Sequence, residues 1–126
     1  MKTIEQTYEI KAPLEEVWRA FVDSKIIEKW GGGPAKMSDK ENNPFSLWGG
    51  DIWGTNTKVV KHKLLEQHWT SGKWEKPSKV QFSFSEYDGK TTVKLLNTDV
   101  PDKSAKDIDQ GWKDYYLGPI KELLES

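Results

Sequence analysis

The spacing of apolar residues changes period several times along the chain, and each change marks an element. From Thr3 to Ile10 apolar and polar positions alternate, with Ile4, Gln6, Tyr8 and Ile10 on one side and Glu5, Thr7 and Glu9 on the other. That period of two predicts a half-buried strand. At Ala12-Pro13 the period lengthens. Pro13 suits a first helical position, Glu15 and Glu16 suit the positive end of a helix dipole, and Leu14, Val17, Trp18 and Phe21 form a stripe at helical spacing, so a helix is expected to Val22. Asp23-Ser24 caps a second short helix, Lys25 to Trp30, which Gly31-Gly32-Gly33-Pro34 stops. Residues 31–43 read as a mobile loop. Strand signal then dominates: Phe45 to Trp48 and Ile52 to Val60 flank Gly49-Gly50-Asp51, and Leu64 to Thr70 follows a turn near Lys61-His62. After a loop from Ser71 to Pro77, Lys79 to Tyr87 and Lys90 to Thr98 flank Asp88-Gly89, the strongest hairpin signal in the chain.

The last segment, Ser104 to Glu125, reads as one long amphipathic helix. Ile108, Trp112, Tyr115, Tyr116, Ile120, Leu123 and Leu124 recur every three or four residues, with Lys106, Asp109, Lys113, Asp114, Lys121 and Glu122 opposite. Ser104 and Asp107 resemble a capping box, with Asp in the usual Glu position. Pro119 lacks an N–H, frees the Tyr115 carbonyl and bends the axis. The element order is therefore β-α-α-β-β-β-β-β-α. A curved antiparallel sheet has one face to cover and a single long helix to cover it, an α+β arrangement in which the sheet grips the helix. A cavity is expected where sheet and bent helix diverge.

Composition narrows the function classes. A chain of 126 residues fits one domain with one core. Net charge is −1 with Lys and Glu interspersed, which gives no electrostatic footprint for nucleic acid or an anionic membrane. There is no cysteine, so disulfides, thiolate nucleophiles and cysteine-based zinc sites are excluded. No apolar run approaches the roughly 18 residues of a membrane span, and the N-terminus is charged and alternating, so a soluble, cytoplasmic protein is expected. Seven tryptophans spread from Trp18 to Trp112 serve either as bulky core filler or as the lining of an aromatic pocket.

Ala12-Pro13 followed by Val17-Trp18, then Trp30, Gly54 and Trp69, and above all Gly111-Trp112 with Tyr115-Tyr116 and Pro119-Ile120-Lys121, resemble the activator of heat shock protein 90 ATPase homologue family. The resemblance covers essentially the whole chain. It implies the helix-grip fold of the START-like, polyketide-cyclase-like superfamily, also called birch-pollen-allergen-like, with a cavity between the sheet and the C-terminal helix. It also suggests a heat shock protein 90 homologue as partner. The eukaryotic co-chaperone of that family carries a separate N-terminal domain that makes much of the chaperone contact, and a chain of 126 residues is expected to lack it.

Candidate chemistry is sparse. The histidines are His62 and His68, neither in a recognisable catalytic motif, and about 20 Å of strand separates them if His62 sits at its turn. Gly31-Gly32-Gly33 follows a helix and lacks the Lys-Ser or Lys-Thr of a phosphate loop. No cofactor or metal is expected. Alternation points several polar residues inward: Gln6 and Tyr8, Gln67 beside Trp69, Glu86 beyond Phe84, and Asn97 beyond Leu95. Each would cost roughly 1–3 kcal/mol if buried and unpaired. Either they mark a pocket holding water or ligand, or Glu86 and Asn97 sit in solvent at strand ends and Gln6 bonds backbone. The expected function is non-enzymatic binding of a small, largely apolar ligand by Tyr8, Phe45, Leu47, Gln67, Trp69, Phe82, Phe84, Val93, Trp112, Tyr115 and Tyr116, with Tyr8, Gln67 or Tyr115 orienting it. Trp48, Trp53 and Trp74 fall off that face and are expected to pack under loops. Two alternatives belong to other classes. One is binding and ATPase activation of a heat shock protein 90 homologue, and the other is a cyclase or hydrolase using Glu86 with Tyr8.

Overall fold

A computed structural model describes residues 1–72 and 74–126; Lys73, inside the expected 71–77 loop, lies outside the described residues. The elements run β1 (Lys2–Ile10), α1 (Leu14–Val22), α2 (Ser24–Trp30), β2 (Pro44–Leu47), β3 (Ile52–Val60), β4 (Leu64–Thr70), β5 (Ser78–Tyr87) and β6 (Lys90–Val100). A C-terminal rod follows, built from α3 (Ala105–Gly111), a π-helical turn (Trp112–Leu117) and α4 (Gly118–Glu125). The strands form one antiparallel sheet in the order β1-β6-β5-β4-β3-β2. This is the helix-grip architecture, and the expected element order is the one found.

Local chemistry explains most boundaries. Asp23 accepts a hydrogen bond from the Lys25 N–H at 2.9 Å and so caps α2, whose other end closes on Gly31 in a left-handed conformation. Asp88 and Gly89 both have positive φ, as the tight turn between β5 and β6 requires. Gly54 on β3 pairs with Phe45 on one side and Trp69 on the other. A Cβ there would overlap the His68 carbonyl oxygen and lie 3.1 Å from the Phe45 ring, so only glycine lets β4 approach this closely. The expected capping box at Ser104 is not formed. Ser104 is already helical in φ and ψ and makes no side-chain cap, and the first turn is closed by the Ile108 N–H to the Ser104 carbonyl.

The inner face of the sheet is graded in size, and this grading places the site. Along β5 the inward residues shrink from Phe84 and Phe82 to Val80 and then Ser78, all buried. At the phenylalanine end α1 closes the core: Phe21 meets Phe82 at 4.8 Å and Phe84 at 5.0 Å, and Trp18 meets Phe84 at 5.1 Å. At the other end small side chains lie beneath α3 and leave room. Among the described residues no helix is long and apolar enough to cross a membrane.

Candidate binding groove

The room left beside Val80 and Ser78 is a groove of about 280 Å³ between the sheet and the start of the C-terminal rod. Its walls are Trp69, Trp112 and Tyr116 from the sheet and the rod, with Trp48 and Trp74 from loops and Tyr115 at the rim. Ile52, Val80 and Ile108 add aliphatic surface; Ser78, Asn97, Asp107 and Gly111 complete it.

Buried amides hold the indoles in place. The Trp69 Nε1–H donates to Gln67 Oε1 at 2.7 Å, Gln67 Nε2 donates to Asn56 Oδ1 at 2.9 Å, and Asn56 Nδ2 donates to the Ser38 carbonyl at 2.9 Å. The chain of amides thus ties the groove wall to the 31–43 loop. On β6, Asn97 Oδ1 accepts from the Trp112 Nε1–H at 3.1 Å while its Nδ2 donates to Ser78 Oγ at 2.6 Å and the Lys79 carbonyl at 3.0 Å. Gln67 and Asn97 therefore need no ligand to satisfy them. They turn the tryptophan rings, whose centroids lie 4.8 Å apart between Trp69 and Trp112 and 5.0 Å between Trp112 and Tyr116.

The rod reaches this geometry by widening. Apolar residues 108, 112, 116 and 120 repeat strictly every four positions, which drifts about 40° per step on an α-helix of 3.6 residues per turn. A π turn absorbs that drift by adding a residue. Its closing bond runs from the Gly118 N–H to the Lys113 carbonyl, five residues back, just before Pro119 removes the next donor. A Cβ on Gly118 would overlap that carbonyl oxygen, so glycine is needed there. The extra residue also rotates Tyr115 outward. It is 66% exposed, against 1% for Tyr116.

The sequence-predicted ligand residues divide accordingly. Trp69, Trp112 and Tyr116 line the groove, and Tyr115 borders it from outside. Phe82, Phe84 and Val93 do not line it; all three are buried in the core, where α1 lays Phe21 onto Phe82 and Phe84 and Trp18 onto Phe84, and where Phe82 backs the Trp112 and Tyr116 rings. Phe45 and Leu47 are buried in the same cluster. Gln67 is fully buried, with its carbonyl committed to Trp69 and its amide to Asn56. Tyr8 lies along the other seam, where its hydroxyl donates to Gln6 Oε1 at 3.2 Å and Gln6 Nε2 donates to the Asp109 carbonyl at 2.8 Å and its carboxylate at 2.7 Å. Burial first, then the negative charges of Asp109 and Asp114, push the Tyr8 hydroxyl above its ordinary 10.0. The Tyr8–Glu86 pairing is not formed: Glu86 is exposed and accepts the Leu14 N–H at 3.0 Å, at the start of α1. His62 sits 2.5 Å from the Glu15 carboxylate, and His68 is exposed on the outer face.

Trp48 and Trp74 border the groove although alternation put them off the inner face. Trp48 has positive φ and opens a 3-10 turn, which swings its ring back toward Trp69 and Tyr116 while its Nε1–H donates to the Gly31 carbonyl at 2.9 Å. The Gly49-Gly50 pair was the available signal, since it ends the strand period at Trp48. The Trp74 N–H closes a turn on the Ser71 carbonyl at 3.0 Å. Trp53 stays on the outer face, 43% exposed. The Tyr116 hydroxyl is buried without a partner among the described residues, and burial raises its pKa far above the ordinary 10.0.

Comparison with known proteins places this architecture. An HSP90 activator from Plasmodium falciparum superposes with a TM-score of 0.88 at 26% identity, covering 98% of this chain and 96% of that one. The Aha1 dimer from Colwellia psychrerythraea shares the fold, with a TM-score of 0.82 at 19% identity over 99% and 97% of the two chains. An activator of 90 kDa heat shock protein ATPase homolog from Dictyostelium discoideum is 28% identical over 98% of this chain and 33% of its own. The chain spans about a third of the length of the curated relatives it matches. The family model described as activator of Hsp90 ATPase homolog 1-like protein matches residues 11–125, so the chain belongs to that family.

Proposed function

We propose that this protein is a non-enzymatic, cytoplasmic binding protein that holds a small, largely apolar molecule in the groove between its sheet and its C-terminal rod. The observation that carries the reading is a space of about 280 Å³ whose walls are tryptophan and tyrosine rings, two of them fixed by buried amides. Rings already held in place lose little freedom when they receive a ligand, which favours binding. Catalysis is disfavoured because the one acid–base pairing suggested by the sequence, Tyr8 with Glu86, is not assembled. Native mass spectrometry of the protein purified from cells tests the proposal. A small molecule should be retained by the natural protein and lost from Gly111→Leu, whose new side chain enters open groove space, the nearest neighbour of a Cβ there being the Tyr115 ring at 3.9 Å. Equal retention by both proteins would refute the assignment.

The relatives favour a second reading, in which the chain binds a homologue of heat shock protein 90 and raises its ATPase rate. Its support is the family membership and the HSP90 activator from Plasmodium falciparum, which matches over nearly its full length. Titration of the protein into such an ATPase should raise the rate with saturation; a flat titration would remove this reading.

A further inference from the structure

We propose that the molecule held in the groove is an organic cation, of the quaternary ammonium or methylated amine class, so the inference rests on the groove being a binding site. Aromatic faces carry negative charge density, and indole is the best of the natural rings for attracting a cation. Four indoles border this groove. Of these, Trp74 makes no ring contact with another aromatic among the described residues, and neither does the rim residue Tyr115, so their faces are not taken up by stacking.

Charge points the same way. Among the described lining residues Asp107 alone carries charge, and it is negative. Its carboxylate has no ion pair and no hydrogen bond among the described residues, and the Ser104 cap that would have employed it is not formed. No described lysine or arginine borders the groove to repel a cation. The geometry also suits a charged head with apolar substituents. Asp107 and Tyr115 are exposed, so a cation placed beside them keeps part of its water, while its substituents reach inward over Val80 and Ile108.

The test compares two probes of one shape, phenyltrimethylammonium and tert-butylbenzene, in which a cationic nitrogen replaces a neutral carbon. Binding of each to the full chain is followed through the indole N–H resonances of Trp69 and Trp112. Phenyltrimethylammonium should bind at least tenfold more tightly than tert-butylbenzene. Asp107→Asn should narrow that ratio threefold or more, by weakening phenyltrimethylammonium more than tert-butylbenzene; a ratio left unchanged would overturn the inference. If the two probes bind equally, or the neutral one more tightly, the cation inference fails and the binding reading stands. If neither binds, both fail. Equal weakening of both probes by Asp107→Asn would show the carboxylate acting through the helix rather than on the ligand, and would also overturn the inference.

Discussion

Replacing Gly118 with alanine sets two effects of opposite sign against each other. In an ordinary helix interior the change stabilises by up to about 1 kcal/mol, since glycine loses more backbone freedom on folding. Gly118 has helical φ and ψ, so alanine would keep a right-handed backbone there, at some cost because a following proline disfavours that region for any residue with a Cβ. The new Cβ, however, would overlap the Lys113 carbonyl oxygen and lie 3.3 Å from its carbon. A backbone carbonyl cannot rotate aside as a side chain can, so the overlap belongs in the upper part of the roughly 1–3 kcal/mol range for overpacking. The expected net result is a loss of about 2 kcal/mol, which for a domain of this size lowers Tm by about 8 °C. Urea unfolding gives the free energy, and the Trp112 indole resonance reports whether the π turn has been disturbed. A Gly118→Ala protein as stable as the natural one, or more stable, would show that the wide turn does not constrain this position, and the explanation of why Tyr115 faces out while Tyr116 faces in would fall with it.

Three further outcomes are expected. Asn97→Leu leaves the Trp112 indole N–H and the Lys79 carbonyl without their partner and should cost about 2–4 kcal/mol in urea unfolding, with a shifted Trp112 indole resonance. Tyr116→Phe removes a buried hydroxyl that has no partner among the described residues, so stability should stay level or rise by about 1 kcal/mol; a loss above about 1 kcal/mol would reveal an unrecognised bond. The Arg19 guanidinium, followed by the His62 ring, holds the Glu15 carboxyl below its ordinary 4.5, and Lys121, followed by the Lys11 N–H, does the same for Glu125. A carboxyl that ionises more readily when folded adds stability above its unfolded value and loses it as pH falls through the folded one. The contribution of these pairs should therefore be complete above pH 4.5 and fade below it, and Glu125→Gln should flatten that acid limb in denaturant midpoints measured against pH.

The fold was legible because its signals are local. Period-two alternation, the Asp88-Gly89 turn and the Asp23 cap each follow from neighbouring residues and reappear as the expected elements, while the 108–125 stripe reappears as a helical rod interrupted by a π turn. The interior was harder to read because occupancy depends on what arrives from elsewhere in the chain. Phe82 and Phe84 do face inward, yet whether they meet a ligand or Phe21 is decided by where α1 lands. Gln67 and Asn97 point in as alternation requires, but their partners are the indoles of Trp69 and Trp112, one of them on a different element. Tyr115 turned outward for a reason that spacing could have hinted at, since a strict repeat of four is too long for an α-helix. The fall in side-chain size from Phe84 to Ser78 was equally visible along one strand, and it marks the end where the groove lies.

The binding of a small apolar probe is the most direct test of the groove. In a heteronuclear NMR titration with tert-butylbenzene, the indole N–H resonances of Trp69 and Trp112 should shift and saturate together, while Trp53, 43% exposed on the opposite face of the sheet, stays in place. Trp69 and Trp112 resonances unmoved by both tert-butylbenzene and phenyltrimethylammonium, or unsaturable shifts of all the indoles including Trp53, would contradict a binding groove between the sheet and the C-terminal rod.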